Sequence, residues 1–317
     1  MELGFILLTI LGLVLFEVIT SIDNAVINAE VLSTMSKKAR RFFLFWGILF
    51  AVFVVRGILP LLIVFFANPS LGIVGALTAT FSGDPKVHEA IEASSPILLI
   101  GGGIFLVFLF LSWLFLEPKN YGLRGEKFFN EQGAWFFALA SIILTTIVWF
   151  ALGRNPHMAF GAVVGSTAFF IIHGFQQFAE NQEKKLLGGG MSDFAKIAYL
   201  EVLDSTFSID GVIGAFAFTL SVPLILLGNG LGAVVLRQLT VSNIERIKKY
   251  KYLKNGAMYS ILFLGTIMIL DSFGYHIPPY VSPIITFTTV GYFFHKSRIS
   301  IKELEKTLEN NPTVSKV

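Results

Sequence analysis

Runs of about 20 apolar residues, separated by short polar breaks, recur along the whole chain and constrain its fold more than any single motif. A run of that length spans the ~30 Å hydrocarbon layer as a helix, because only closed helices or barrels satisfy the backbone there. Composition agrees. The chain is 54% hydrophobic and 14% charged, with 33 Phe, whereas a soluble domain carries about a quarter charged residues. Nine spans are predicted, at about 3–33, 42–67, 96–116, 134–152, 158–178, 193–219, 222–243, 256–272 and 279–295. The expected fold class is an all-α polytopic membrane helix bundle in contact with the lipid bilayer.

The N-terminus has no basic region and its apolar run contains Glu17, so it reads as a retained first span rather than a leader. Residues 68–95 include Asp84, Pro85, His88, Glu89 and Glu92 and read as an extramembrane loop or short surface helix. Gly188-Gly189-Gly190 reads as a flexible joint, and residues 297–317 as a cytoplasmic tail that is either a short amphipathic helix or disordered.

Charge placement sets the expected topology. Of the 24 Lys and Arg, 20 fall in the loops after spans 1, 3, 5 and 7, in the tail, or, for Lys196, in the first turn of span 6 on the same side. Only Lys86 and Arg154 fall on the other side, and Arg56 and Arg237 lie inside spans. Loops rich in Lys and Arg stay cytoplasmic, so the N-terminus is expected outside and the C-terminus inside, in the cell (inner) membrane. The pI near 9.0 is thus accounted for by topology, and nucleic-acid binding is not expected. With no cysteine, thiolate metal sites and disulfides are excluded.

Two of the spans carry one acidic pattern. Span 1 reads Glu17-Val-Ile-Thr-Ser21-Ile-Asp23-Asn24, and span 6 reads Glu201-Val-Leu-Asp204-Ser205-Thr-Phe-Ser208-Ile-Asp210-Gly211. Aligning the two Ser-Ile-Asp triplets puts Glu17 opposite Asp204, each six residues before an Asp. In the spans that follow, Gly47 precedes Arg56 by nine residues and Gly228 precedes Arg237 by nine. Five spans separate the two starts, so the second copy runs in the opposite direction, as in the inverted repeats of secondary transporters. The expected domains are a first repeat at 1–117, linking spans 4 and 5 at 118–192, a second repeat at 193–296, and the tail.

With about 3.6 residues per turn, Glu17, Ser21, Asn24 and Asn28 share one stripe, and Asp23 lies about 120° away from Glu17. Each acidic helix is therefore either buried on more than one side or unwound near Ser-Ile-Asp. A bare charge in mid-bilayer costs roughly 2.5–3.5 kcal/mol on insertion scales. Arg56 and Arg237 are expected as charge partners for two acids, and the excess negative charge predicts a cation site. Glu17, Asp23, Asn24, Asp204 and Asp210 are the candidate ligands, with Glu201 as a ligand or proton carrier. Ser21, Ser205 and Ser208 add polar support. Carboxylate, amide and hydroxyl oxygens suit hard divalent ions such as Mn²⁺, Mg²⁺ or Ca²⁺. No cofactor is expected; the metal is the substrate. No Ser–His or His-rich constellation appears within the spans, so an enzyme is not expected. The spacing itself leaves the oligomeric state open.

At these residues the chain resembles the TerC family of integral membrane proteins. The matching elements are Glu17…Ser21-Ile22-Asp23-Asn24, the Arg56 helix, Glu201-x-x-Asp204…Asp210, Asn229…Arg237 and His276-Ile277-Pro278. Glu201-Val-Leu-Asp204-Ser-Thr206 is also similar to the Glu-x-Gly-Asp-(Lys/Arg)-(Ser/Thr) motif of a related Ca²⁺/Mn²⁺–proton exchanger family. The resemblance implies export of Mn²⁺ from the cytoplasm, with an association to tellurite resistance. A non-transporting membrane scaffold in a metal or tellurite stress-response complex is the alternative. Gly211 departs from the TerC pattern, where a small hydroxyl residue is common, and so does the long 68–95 loop.

Overall fold

Glu17 and its neighbours sit on a helix that is nearly continuous from residue 3 to residue 33. Helix α1 (Leu3–Thr20) passes into α2 (Ile22–Ser33) through a one-residue turn at Ser21. Ser21 N–H still bonds to Glu17 O (3.2 Å) and Ala25 N–H to Ser21 O (3.0 Å), so the axis is perturbed without being cut. The computed structural model describes residues 3–47, 50, 56–67, 72, 85–187 and 192–310. Regular structure among them is helical throughout.

A short helix α3 (Lys37–Phe42), capped by the Ser36 hydroxyl accepting from Ala39 N–H, runs into a π-helical turn at Phe43–Gly47. Helix α4 (Arg56–Ala67) follows, and then α5 (Pro85–Leu116). After α6 (Glu126–Asn130) come α7 (Trp135–Leu152), α8 (Pro156–Leu187) and α9 (Asp193–Ala215). Helices α10 (Val222–Lys248), α11 (Leu253–Ser272) and α12 (Val281–Asn310) complete the bundle.

Six helical segments are long and apolar enough to cross a membrane: Leu3–Thr20, Ser94–Leu116, Trp135–Leu152, Pro156–Gln177, Val222–Leu239 and Leu253–Ser272. They coincide with predicted spans 1, 3, 4, 5, 7 and 8. Span 6 forms as α9 and span 9 as α12, but their charged and polar residues keep both below that level of apolarity. Part of span 2 lies outside the described residues. So do Gly188-Gly189-Gly190 and residues 73–84 of the predicted loop. Residues 68–71 lie outside them as well, and from Pro85, a residue preorganised for the first turn of a helix, the predicted loop is helical and continuous with span 3 as α5. Likewise α12 carries the predicted tail to Asn310 as a continuation of span 9.

The centre of the bundle is α5. In its apolar stretch 78% of residues are buried, against 17% in α7, which points Trp149, Phe137 and Ile142 outward. A helix apolar on all sides belongs in such an interior position. Three adjacent glycines let its neighbours approach closely. A Cβ on Gly101 would lie 2.8 Å from the Gly161 carbonyl of α8, and one on Gly103 would lie 2.8 Å from the Gly265 carbonyl of α11. The glycines of the 101–103 run and of Gly161-x-x-x-Gly165 therefore act as packing surfaces, as small residues do between membrane helices. Around them, Phe105 and Phe108 pack edge to face on Phe169 at 6.0 and 5.7 Å, and Phe136 packs tilted on it at 6.2 Å.

The remaining pairings bring the two acidic helices together. Helix α1 packs along α10, α9 packs against α4, and α5 packs along α11. Helices α1 and α9 also touch each other.

Candidate site at the two acidic helices

Arg56, the first residue of α4, joins the two acidic helices. Its guanidinium bonds Glu17 Oε1 through Nε (2.9 Å) and Nη2 (2.5 Å), and its Nη1 lies 3.6 Å from Asp204 Oδ2 on α9. Glu17 is 0% exposed and Arg56 2%, so solvent screens this pair little. The Ser21 hydroxyl at the helix turn donates to Glu17 Oε1 at 3.1 Å. Asn24 Nδ2 donates to Asp204 Oδ1 at 2.6 Å, a second link between α2 and α9.

Glycines make room for the Glu17 carboxylate. A Cβ at Gly211 of α9 would lie 2.7 Å from Glu17 Oε2, and a Cβ at Gly232 of α10 would lie 2.6 Å from Glu17 Cβ. This explains the departure at 211 noted in the sequence: any side chain there would press on the carboxylate.

Arg237, on α10, plays a different part from Arg56. Its Nη2 donates to Phe43 O at 2.5 Å in the π-helical turn, and its guanidinium lies 4.7 Å from the centre of the Phe43 ring. Its Nε is buried and makes no hydrogen bond. Glu201 is half-buried against that same turn, where a Cβ on Gly47 would collide with its Oε1. Asp210 meets a third helix instead, accepting from Gln176 Nε2 of α8 at 3.4 Å. The Asp23 side chain lies outside the described residues.

The supporting serines divide. Ser21 contacts an acid, whereas Ser205 and Ser208 donate to the Glu201 and Asp204 carbonyls of their own helix (2.6 and 2.5 Å), a pattern common for hydroxyls inside helices. The two acidic helices also differ at their Ser-Ile-Asp triplets: α1–α2 turns at Ser21, while α9 runs unbroken through Ser208, Ile209 and Asp210.

Several acceptor oxygens here have no donor. Glu17 Oε2, Asn24 Oδ1, Asn28 Oδ1, Asp210 Oδ1 and Asn229 Oδ1 are all buried without a hydrogen bond. They belong to α1, α2, α9 and α10, the helices that pack around the Arg56 pair. Among the described residues, no three His, Asp or Glu side chains converge closely enough to hold a metal by themselves. Buried polar groups are normally paired, so this concentration of lone acceptors is the chemical peculiarity of the site.

Sequence reasoning missed Gln176, which reads as one polar residue near the end of an apolar span. It also missed Glu126, placed in a loop by its charge yet 1% exposed. Glu126 accepts from Gly122 N–H (2.6 Å), Asn255 Nδ2 (2.9 Å) and the Tyr259 hydroxyl (3.1 Å). Nothing in the sequence marks it, since its side-chain partners Asn255 and Tyr259 lie 129 and 133 residues away. His173 stacks on Phe169 at 5.3 Å. Asp271 accepts from Ile277 N–H at 2.8 Å and closes the turn at Gly274.

The profile described as "Protein of unknown function (DUF475)" matches residues 22–303. The chain belongs to this family. The chain is also similar to "Uncharacterized membrane protein RP786" of Rickettsia prowazekii (strain Madrid E), at 25% identity over 193 residues. That alignment covers 61% of this chain and 59% of the relative, so it spans less than two thirds of that protein's length. No solved structure matches. The family match covers the Arg56 pair apart from Glu17, which lies just before its first residue.

Proposed function

We propose that this DUF475 protein is a divalent-cation transporter that exports Mn²⁺ from the cytoplasm in exchange for protons. One observation carries the reading: five buried acceptor oxygens without donors (Glu17 Oε2, Asn24 Oδ1, Asn28 Oδ1, Asp210 Oδ1 and Asn229 Oδ1), on helices that converge on one ion pair. Lone oxygens in an apolar bundle call for a positive partner, and carboxylate with amide oxygen is a ligand set for hard divalent ions. Asp23 and Asp204 complete the proposed shell, and Glu201 carries protons. Arg56 and Arg237 hold the acids while no ion is bound. The resemblance to TerC proteins and to Ca²⁺/Mn²⁺–proton exchangers supports Mn²⁺ as the substrate.

The proposed architecture has nine spans: an inverted three-helix repeat relates spans 1–3, within 1–117, to spans 6–8, within 193–296, spans 4 and 5 at 118–192 join them, and span 9 follows. Helix packing supports it: α1 with α10 and α9 with α4 are equivalent pairs under such a repeat, and α5 with α11 is its own equivalent. Alternating access then comes from one repeat rocking against the other. The basic loops support an N-terminus outside and a C-terminus in the cytoplasm of the inner membrane.

A membrane scaffold is the second reading, favoured by one fact: Arg56 contacts both Glu17 and Asp204, an arrangement that can serve as a structural ion pair. Reconstituted full-length protein separates the two. The transporter takes Mn²⁺ into liposomes with opposite movement of protons, read by a pH dye in the lumen, and Asp23→Asn with Asp210→Asn abolishes this. Uptake equal to protein-free liposomes for Mn²⁺, Ca²⁺, Mg²⁺ and Zn²⁺ alike overturns the transport reading and leaves the scaffold.

A further inference from the structure

We propose that a cavity of about 310 Å³ at one end of the bundle, between α2, α5, α10 and α11, binds a phosphate-bearing anion. Lys119, Lys248, Lys251 and Lys254 all line it, with amides from Asn120 and Asn255, and no acidic residue does. Four ammonium groups around one small volume repel one another unless an anion joins them.

The nearby carboxylates do not fill that role. Glu117 is turned to Lys254 at 2.7 Å and Glu30 to Lys248 at 2.9 Å. Glu126 is fully engaged by Gly122, Asn255 and Tyr259. Lys119 and Lys251 have no acidic partner among the described residues. Lys119 donates to the last carbonyls of α5, Trp113 O and Leu114 O, both at 2.5 Å, and lies over the Trp113 ring at 4.3 Å. Lys251 lies over the Tyr252 ring at 5.1 Å. Both ammonium groups are thus aimed by aromatic rings and carbonyls, each with a donor left for an incoming oxygen.

Phosphate is the anion class that fits. It is compact and multiply charged, and it accepts from several lysine point charges at once. The cavity is open on one side and also has an apolar wall from Trp113, Tyr250, Ile22 and Val26. An inorganic phosphate and the headgroup of an anionic phospholipid share the required chemistry, and basic pockets between membrane helices hold such headgroups. The same lysines oppose passage of a divalent cation, so this cavity is separate from the proposed transport route. Its wall residues Ile22 and Val26 flank Asn24, however, so occupancy bears on the helix that carries the candidate site.

The test uses delipidated full-length protein in neutral detergent, with three probes: inorganic phosphate, phosphatidylglycerol and phosphatidylcholine. Native mass spectrometry counts retained lipid, and thermal melting reads phosphate. Either a phosphate-dependent rise in melting temperature or preferential retention of phosphatidylglycerol over phosphatidylcholine is expected, and which one appears identifies the source. Lys251→Gln should weaken that binding by about fivefold, the scale of one lysine's attraction to an anionic surface. Lys302→Gln, outside the cavity, should leave it unchanged. Because Lys119 also caps α5, Lys119→Arg accompanies Lys119→Gln and keeps both charge and fold. Equal retention of the two lipids with no phosphate response overturns the proposal, as does wild-type binding in folded Lys251→Gln.

Discussion

Glu17 lies where no water reaches, and its carboxylate is held there by Arg56. Removing one member of such a pair strands the other, which costs about 3–5 kcal/mol. Glu17→Gln should therefore lower the melting temperature sharply. The double variant Glu17→Gln/Arg56→Gln should be less unstable than the sum of the singles, with an interaction energy of about 0.5–3 kcal/mol in a double-mutant cycle. Additive losses would mean that the two side chains do not depend on each other. Gly211→Ala tests the room around the same carboxylate. Its Cβ would arrive 2.7 Å from Glu17 Oε2, and overpacking of that kind costs about 1–3 kcal/mol. Lys119 offers a pH test. Its withdrawal from water, partly offset by Glu126 and Glu117 and reinforced by Lys254, lowers its pKa to about 8. The charged form is then the one disfavoured by folding, so stability rises as pH increases from about 8 towards the unfolded value. Anion binding has the opposite trend, falling as Lys119 deprotonates at or above pH 8, since a bound anion pulls that pKa upward. Lys119→Arg should flatten the decline in a phosphate titration run from pH 7 to pH 10.

At the scale of helices, stability depends on close backbone contact. Gly101 and Gly103 are where α5 meets α8 and α11, and both approaches are too close for a side chain. Gly101→Leu should reduce the folded yield more than Val234→Leu on the exposed face of α10, as measured by size-exclusion profile in detergent. Much of this level was legible. The apolar runs predicted the helices because length and hydropathy are local properties. The interruption was not legible. The same Ser-Ile-Asp triplet bends the helix at Ser21 and leaves α9 straight at Ser208. Local propensity is nearly identical in the two, so the neighbouring helices decide the difference.

For the whole molecule, the basic residues that sequence assigns to one side do come together at one end. Lys196 bonds Thr34 Oγ1 at 2.8 Å, Lys248 pairs with Glu30 at 2.9 Å, and Lys254 with Glu117 at 2.7 Å. That shared end is expected to face the cytoplasm. The chain has no cysteine, so single introduced cysteines report cleanly: Arg124→Cys should be shielded from an impermeant thiol reagent in intact cells, and Arg154→Cys should react. The reverse pattern would invert the topology.

The chain's own order of residues determined that it is helical, that it belongs in a bilayer, and that two acidic helices and two arginines carry its unusual charge. Those follow from hydropathy, counted charge and spacing, which need no neighbours. Only the tertiary structure decided that Arg56 reaches across from Glu17 to Asp204 while Arg237 turns to a backbone carbonyl. It also decided that Asp210 meets Gln176, that Glu126 is buried, and that Lys119 shares one cavity with Lys248, Lys251 and Lys254. Each depends on helices distant in sequence packing side by side, and hydrogen bonds and ion pairs act only over the few ångströms such packing creates.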